Sequence, residues 1–466
     1  MTTTTLLPPT QWAQQEFALA ELGGDRRRTQ RLVNLAHGLA ARPGGTLPQA
    51  FPDWAELKAA YRLLDRPETS FQRILAPHLQ RTRAACRPPG EYLLIEDTTL
   101  LDYSCGPAAP ELGRIGDGQG RGFELHATLA VRIEGWTLAP RPASQLVGLL
   151  RQRCDRPPPA PPGETRAQCL SRPRRSQRWA AALKEAGAPP ADCRWIYVAD
   201  READFYEPIQ RCQPHRVDFV IRACHDRRLA QDAGHRHETL ARAPVLGQTT
   251  VELRTRPGQA ARTALVAVRA VRVDLDGPWR PSGWQAPLRG VWAVEVREVH
   301  APQGVMQPLH WGLLTSLPCE SWAAGQRVVG LYAARWWIEE YHKALKRGAG
   351  VEASQLERGH RLEALIAVLA VVAVRLLATT LLARSRPEGW EAPESFGPEA
   401  LALLAAKLGR PEEGWTNQSV LIATARLGGF MARKGDGLPG WQTIWRGWQR
   451  LRWMCEGVAT LNQTQT

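Results

Sequence analysis

Three acidic residues stand where a carboxylate can do chemistry. Asp97 lies at the end of an apolar run, in Ile95-Glu96-Asp97-Thr98-Thr99. Read as a strand, Glu91–Asp97 alternates with a period of two. That predicts Leu93, Ile95 and Asp97 on the core-facing side and Glu96 on the polar side. A carboxylate on a buried face needs a partner or a metal ion, although an Asp at a strand end also suits a turn. Asp200 follows the strand-like run Cys193–Val198 and opens the segment Asp200-Arg201-Glu202-Ala203-Asp204. There the carboxyl edge of a sheet opens into a crevice, and there too an Asp can simply cap a helix.

The third residue, Glu339, comes with a set of neighbours. The stretch from Tyr332 reads YAARWWIEEYHKALK. On one helix, at about 100° per residue, Tyr332, Arg335, Glu339, Lys343 and Lys346 fall within an arc of roughly 80°. Ala334, Trp337, Ile338, Tyr341, Ala344 and Leu345 take the opposite side. A solvated face with i,i+4 ion pairs would account for the charges. It would not account for two of only six lysines in the chain lying three residues apart here. Phosphoryl transfer would use the whole set. Two divalent cations roughly 4 Å apart activate the nucleophile and stabilise the leaving oxygen, and they need carboxylate ligands. Cations and an aromatic beside them hold the polyanion in line.

The composition agrees with a polyanionic partner. The 466 residues carry 60 Lys+Arg against 46 Asp+Glu, a net charge of +14 with a sequence pI near 9.8. That favours nucleic acid over an acidic ligand. A hydrophobic fraction of 44% excludes a disordered chain. Nine cysteines without a C-x-x-C pair argue against a disulfide framework and a zinc site. The N-terminus lacks the pattern of a signal peptide. The apolar stretch Leu362–Leu382 reads as a buried helix, because its uncharged run is too short to span a bilayer. The expectation is a cytoplasmic protein with no membrane partner.

These residues need a scaffold that brings them together. Residues 11–85 read as helical, with Arg26, Arg27, Arg28 and Arg31 between apolar stretches and a break at Pro43-Gly44-Gly45. Such a basic helical module suits DNA docking, and an ordinary helical cap would look the same. From residue 91 the pattern predicts three strands, a helix, a strand, a helix and a strand. That is an α/β arrangement with a mixed sheet and helices on its faces. Residues 155–163 form a Pro-rich loop. Short β-like runs between 223 and about 325 predict an inserted β-rich subdomain. Two long helices, about 323–347 and 359–384, then lead into a helical end. In that end Trp441, Trp445, Trp448 and Leu451 repeat with helical spacing, either to pack on the chain's own core or to form a homodimer face.

The residues quoted so far resemble a known family, the bacterial cut-and-paste DDE transposases of the IS-four family. The resemblance rests on IEDTT at Asp97, DREAD at Asp200–Asp204, and the signature Tyr332-x2-Arg335-x3-Glu339-x6-Lys346. It extends to LGGDRRRTQRLVNLA, PLHWGLLTS and ARLGGFM. It implies a ribonuclease-H-like mixed-sheet catalytic core (76–385, with the insertion at about 223–325). Helical domains would flank that core, one binding DNA ends (1–75) and one for dimerisation (386–466). Asp97, Asp200 and Glu339 would bind two Mg²⁺ (or Mn²⁺) ions and carry catalysis. By matching position, Tyr332, Arg335 and Lys346 would contact terminal phosphates, Trp311 would stack on a flipped base, and Arg222 would contact DNA. Arg27, Arg28 and Arg31 would bind the transposon end. Lys343 joins them on the helix-face argument alone. The resemblance further implies double-stranded DNA partners (terminal inverted repeats and target), a homodimer in the DNA complex, and a bacterial, nucleoid-associated location. A nuclease of the same fold that cuts without joining, and a non-catalytic DNA-binding relative, are the alternatives.

Overall fold

The computed structural model describes residues 7–136, 141–156, 177–232, 234–253, 261–280, 283–433 and 435–464. Most of the Pro-rich loop expected at 155–163 lies outside them.

Four longer helices open the chain, α1 (Pro9–Phe17), α2 (Arg26–Ala41), α3 (Trp54–Leu64) and α4 (Phe71–Ala85), with a single helical turn, Leu47–Ala50, between α2 and α3. Side chains suited to N-caps start three of them. Asp25, Asp53 and Ser70 accept from the backbone N–H of Arg27, Glu56 and Arg73, satisfying donors that a helix start leaves open. The boundary expected at residue 75 falls inside α4. Trp12, Phe17, Leu32 and Phe71 share one continuous core with Leu93 and Ile95 of the sheet.

The sheet is built from β1 (Gly90–Asp102), β2 (Gly120–Gly135), β3 (Ala143–Asp155), β4 (Cys193–Ala199), β5 (Asp218–Arg222), β6 (Val245–Leu253), β7 (Arg262–Leu275), β8 (Leu288–Glu298) and β9 (His310–Thr315). β2 lies antiparallel to β1 and β3, while β4 and β5 run parallel to β1. Helices α5 (Gln177–Ala186) and α6 (Tyr206–Cys212) make the connections and cover one face. The mixed α/β sheet expected from the alternation is therefore present.

The β-like runs expected between 223 and about 325 are strands too, and they extend the same sheet. β9 pairs with the edge of β5 through Leu313↔Arg222, Leu314↔Ile221 and Thr315↔Val220, and β8, β7 and β6 follow in order. With the short strand Gly113–Ile115 paired to the start of β2, the result is one ten-stranded sheet. Without β9, the β5 edge would expose a row of unpaired backbone groups. The insertion closes that edge and carries His310 and Trp311 past the end of β5.

The long helix expected at 323–347 is broken. It forms α7 (Trp322–Ala333) and α8 (Trp336–Lys343), followed by a π-turn over Ala344–Gly348. At the junction, Arg335, Trp337 and Ile338 donate three residues back, to Tyr332, Ala334 and Arg335. Such tight bonds, followed by the wide π-turn, shift the angular phase that a uniform helix would keep. The apolar side survives, with Ala334, Ile338, Tyr341, Ala344 and Leu345 all buried.

Helix α9 (Gly359–Ser385) is the buried helix expected around Leu362–Leu382. Its segment Gly359–Ala383 is long and apolar enough to cross a membrane, but 89% of its most apolar window is buried inside the protein. The closing helices include α10 (Asn417–Leu427) and α11 (Trp441–Thr464). Trp441, Trp445 and Leu451 are buried within the chain itself, and Trp448 is half-buried. That stripe is core packing and is not available as a homodimer face. Trp441 donates its indole N–H to the buried carboxylate of Glu340, which also accepts from Lys343. Trp441→Phe removes one donor from a desolvated carboxylate. The expected cost is about 1–3 kcal/mol, read as a lower denaturant midpoint with unchanged slope.

Candidate active site

Three elements converge on one side of the sheet. The last parallel pair between β1 and β4 is Glu96↔Ala199. Asp97 and Asp200 come one residue later on each chain, so they sit on adjacent strands about 5 Å apart. Ile95 and Val198, two positions earlier, belong to the same core cluster as Ile338 and Tyr341 of α8. The carboxylates thus share the face on which α8 packs. Arg335, at the start of α8, joins the set. Its Nη1 lies 3.3 Å from Asp97 Oδ2, and its Nη2 donates to Glu339 Oε1. One guanidinium therefore spans a carboxylate from the sheet and one from the helix.

The expectation for Glu96 was wrong. It is fully buried and paired with His126. β1 lies in the middle of the sheet with helices on both faces, so alternation separates two cores instead of core from solvent.

The site's electrostatics call for a cation. Burial pushes the Asp97 carboxyl up to about 7, with Asp200 and Glu202 adding to the rise while Arg335 and the N–H of Thr98 oppose it. Asp200 is half-buried and accepts from the backbone N–H of Glu202 at 2.8 Å. Asp97, Asp200 and Glu339 all act on the Arg335 guanidinium, and together they offer the all-oxygen donor set that suits a hard divalent ion. The residues present fit such an ion.

The polyanion side of the site lies next to it. Trp311 on β9 meets the Tyr332 ring edge-on, with centroids 4.9 Å apart. Burial pushes the Tyr332 phenol up, and the guanidinium groups of Arg335 and Arg222 offset part of that. Arg222 ends β5 and donates to the carbonyl of His310. Arg222, Trp311, Tyr332 and Arg335 thus form a continuous strip beside the carboxylates.

The lysines do not join it. Lys343 pairs with Glu340 at 3.0 Å and lies over the Trp336 ring, on the side facing α11. Lys343 keeps its helical phase relative to Glu339 within α8, but its ammonium turns to Glu340 three residues back instead of to the carboxylate site. Lys346 pairs with Glu352 at 3.3 Å, and Glu352 in turn accepts from the backbone N–H of Asp102. In α2, Arg27 and Arg31 are exposed, whereas Arg28 is engaged with Glu68, Asp25 and the carbonyl of Leu22. Arg28 therefore holds its own module together.

Two features of the site were not read from the sequence. Asp204 is buried and accepts from the backbone N–H groups of Cys224 and His225 and from Arg227. Although burial pushes its carboxyl up, Arg227 and those N–H groups hold it below the ordinary range. It staples the turn carrying Asp200 to the chain leaving β5. Asp204, Cys224 and His225 bring possible ligand atoms within 4.8 Å. Both Asp204 oxygens already have donors, so the cluster is a structural anchor. The second Asp of DREAD was its signal. The other missed feature, His126 behind Asp97, had none beyond the alternation of Glu124, His126 and Thr128 with apolar residues along β2.

Residues 9–69 match the family model described as transposase DNA-binding, and residues 187–375 match that described as transposase DDE domain. Among solved structures the chain is similar to a piggyBac transposase synaptic complex with hairpin DNA. The identity is 11% over 91% of each chain, with a TM-score of 0.37. The second family match includes Asp200 and Glu339 and ends within α9, while Asp97 is brought to them by the sheet. An enzyme of this kind has DNA as its partner and works with a divalent metal. By its DNA-binding and DDE domains, the chain is a DDE transposase.

Proposed function

We propose that this enzyme moves a DNA element by cutting and pasting. In this reading it binds the element's terminal inverted repeats, nicks them, forms and opens a hairpin, and joins the 3′ ends to target DNA. The observation that carries the reading is the meeting of Asp97 and Asp200, on neighbouring parallel strands, with Glu339 across Arg335. The order β3-β2-β1-β4-β5, with only β2 reversed, supports a ribonuclease-H-like core. The motif spacing supports membership of the IS-four family, with a resemblance to the Tn-five transposase.

In the proposed mechanism Asp97, Asp200 and Glu339 would hold two Mg²⁺ or Mn²⁺ ions, which would supply Lewis acidity for the phosphodiester displacement. Arg335 swings from its two carboxylates to a DNA phosphate, where its planar fork gives two parallel hydrogen bonds. Arg222 and the Tyr332 hydroxyl hold the same strand in line for displacement. Trp311, half-buried and braced by Tyr332, offers its free face to an unstacked base. Lys346 reaches phosphate once it leaves Glu352. The exposed Arg27 and Arg31 dock the element's end. A homodimer would bring two ends together through a surface other than the Trp441–Trp445 stripe. The enzyme would act on the nucleoid in the bacterial cytoplasm.

The test is a linear duplex bearing the element's own ends, incubated with protein and Mg²⁺. Hairpin and joined products are expected. Cleavage without joining would leave a nuclease, and a band shift without products would leave a DNA-binding relative. Trp311→Ala should slow hairpin formation by about tenfold, the equivalent of about 1–3 kcal/mol of lost stacking, while the first nick is little changed. Equal slowing of both steps would remove the stacking role.

A further inference from the structure

The face of β1 turned away from the active site carries a polar chain that the mechanism above does not use. Glu96 and Thr98 flank Asp97 and point to the opposite face of the strand. Both are tied to one residue on β2. His126 Nε2 lies 2.6 Å from Glu96 Oε1, and His126 Nδ1 lies 2.8 Å from Thr98 Oγ1. The register pairs Thr98 directly with His126 and Glu96 with Thr128, whose hydroxyl also donates to Glu96 Oε1. Glu96 and His126 are both fully buried, and Trp179 of α5 packs edge-on against the imidazole at 4.7 Å.

The chemistry sets the direction of these bonds. A carboxylate only accepts, so the nitrogen facing Glu96 is the donor. In the neutral imidazole Nδ1 then accepts from the Thr98 hydroxyl. The chain continues through the backbone. Thr98 N–H donates to Asp97 Oδ1 at 2.8 Å, while Arg335 holds Oδ2. The sheet ladder alone would place the β1 backbone. A buried Glu–His pair is an expensive addition to a core that apolar residues could fill. Of Glu96, His126, Thr128 and Thr98, only Thr98 is half-buried and the others are buried.

We propose that Glu96, His126 and Thr98 form a back-face clamp that orients the Asp97 carboxylate for the divalent ion, which makes them positioning residues. The inference rests on the metal role assigned to Asp97 above. Groups that orient metal-ligating carboxylates typically account for 10–100-fold in metal affinity. The clamp acts by restricting Thr98. Once its hydroxyl is fixed, its N–H stays on Asp97 Oδ1, and the carboxylate does not rotate away from Asp200 and Glu339.

The decisive variant is Thr98→Val, which removes the hydroxyl and keeps the shape and the β-branch on a half-buried residue. Full-length protein without DNA is titrated with Mn²⁺, and free ion is followed by its electron paramagnetic resonance signal. Asp97→Asn defines the background. Wild type is expected to bind Mn²⁺ above that background, and Thr98→Val to need roughly tenfold more ion for half-saturation. Thr98→Ser, which restores the hydroxyl, should return the midpoint to within about threefold of wild type, well inside that range. Identical midpoints for wild type and Thr98→Val would overturn the clamp and leave the metal role standing. A Thr98→Ser midpoint as weak as that of Thr98→Val would also overturn it, because the hydroxyl would then not be the active feature. No binding above background in wild type would overturn the metal assignment itself, and the clamp with it.

Discussion

Asp97→Asn, Asp200→Asn and Glu339→Gln should each lose strand cleavage by about a thousandfold, while duplex binding stays within a few-fold of wild type. The size follows from asking the carboxylates for about 4 kcal/mol of transition-state charge stabilisation, a modest share of what a metal site supplies. The amides keep the shape and one acceptor oxygen and remove the charge that holds a cation. Binding should survive because most of the affinity comes from basic residues elsewhere on a chain with net charge +14. Folding should survive too, since Asp97 and Glu339 each lose one contact to Arg335. Gel-resolved cleavage and a filter-binding isotherm on the same preparations check both halves. Cleavage at wild-type rate by any one variant would remove that residue from the triad.

Gly447→Ala should be the most damaging single methyl in the C-terminal helices, at about 3 kcal/mol or more. Glycine in the middle of α11 costs helix stability relative to alanine, so something must require it. A Cβ on Gly447 would lie 1.6 Å from the carbonyl oxygen of Thr424, and one on Gly428 would lie 1.8 Å from that of Thr443. The two backbones meet at this crossing, and no rotamer change relieves a clash with a carbonyl. The damage should spread. α11 anchors Glu340 through Trp441, next to Glu339, and Trp445 packs against Gly44 and Gly348. Chemical denaturation followed by Trp fluorescence should show an early transition for the C-terminal helices. An unfolding midpoint equal to wild type would show that the helices separate at no cost, contrary to the close crossing.

The candidate site of this protein was legible from residue types and short spacings. An Asp in an apolar strand, an Asp just after a second strand, and a Glu four residues after an Arg on a helix are local patterns, although β1 runs on past Asp97 to Asp102 where the sequence suggested a strand end. Periodicity in the flanking residues says which side is buried, and α8 keeps its apolar side even though the helix breaks. The strand–helix alternation likewise announced a mixed sheet, because period and length distinguish the two elements without tertiary knowledge. The buried helix α9 was legible for the same reason.

Tertiary structure decided what depends on neighbours distant in sequence. Lys343 turned to Glu340 and Lys346 to Glu352, and those partners are fixed by neighbours distant in sequence, Trp441 on Glu340 and the Asp102 backbone on Glu352. Glu96 looked like a surface residue because alternation marks two faces but not whether the second is solvent, and only the layer of α5 and α6 made it buried. The insertion joined the main sheet because the β5 edge needed a partner, a demand invisible within residues 223–325. The Trp441–Trp445–Leu451 stripe read equally as core or interface, since helical spacing shows an apolar face and not what covers it. The neighbours that cover it, α10 and the Glu340 end of α8, come together only when the chain is folded.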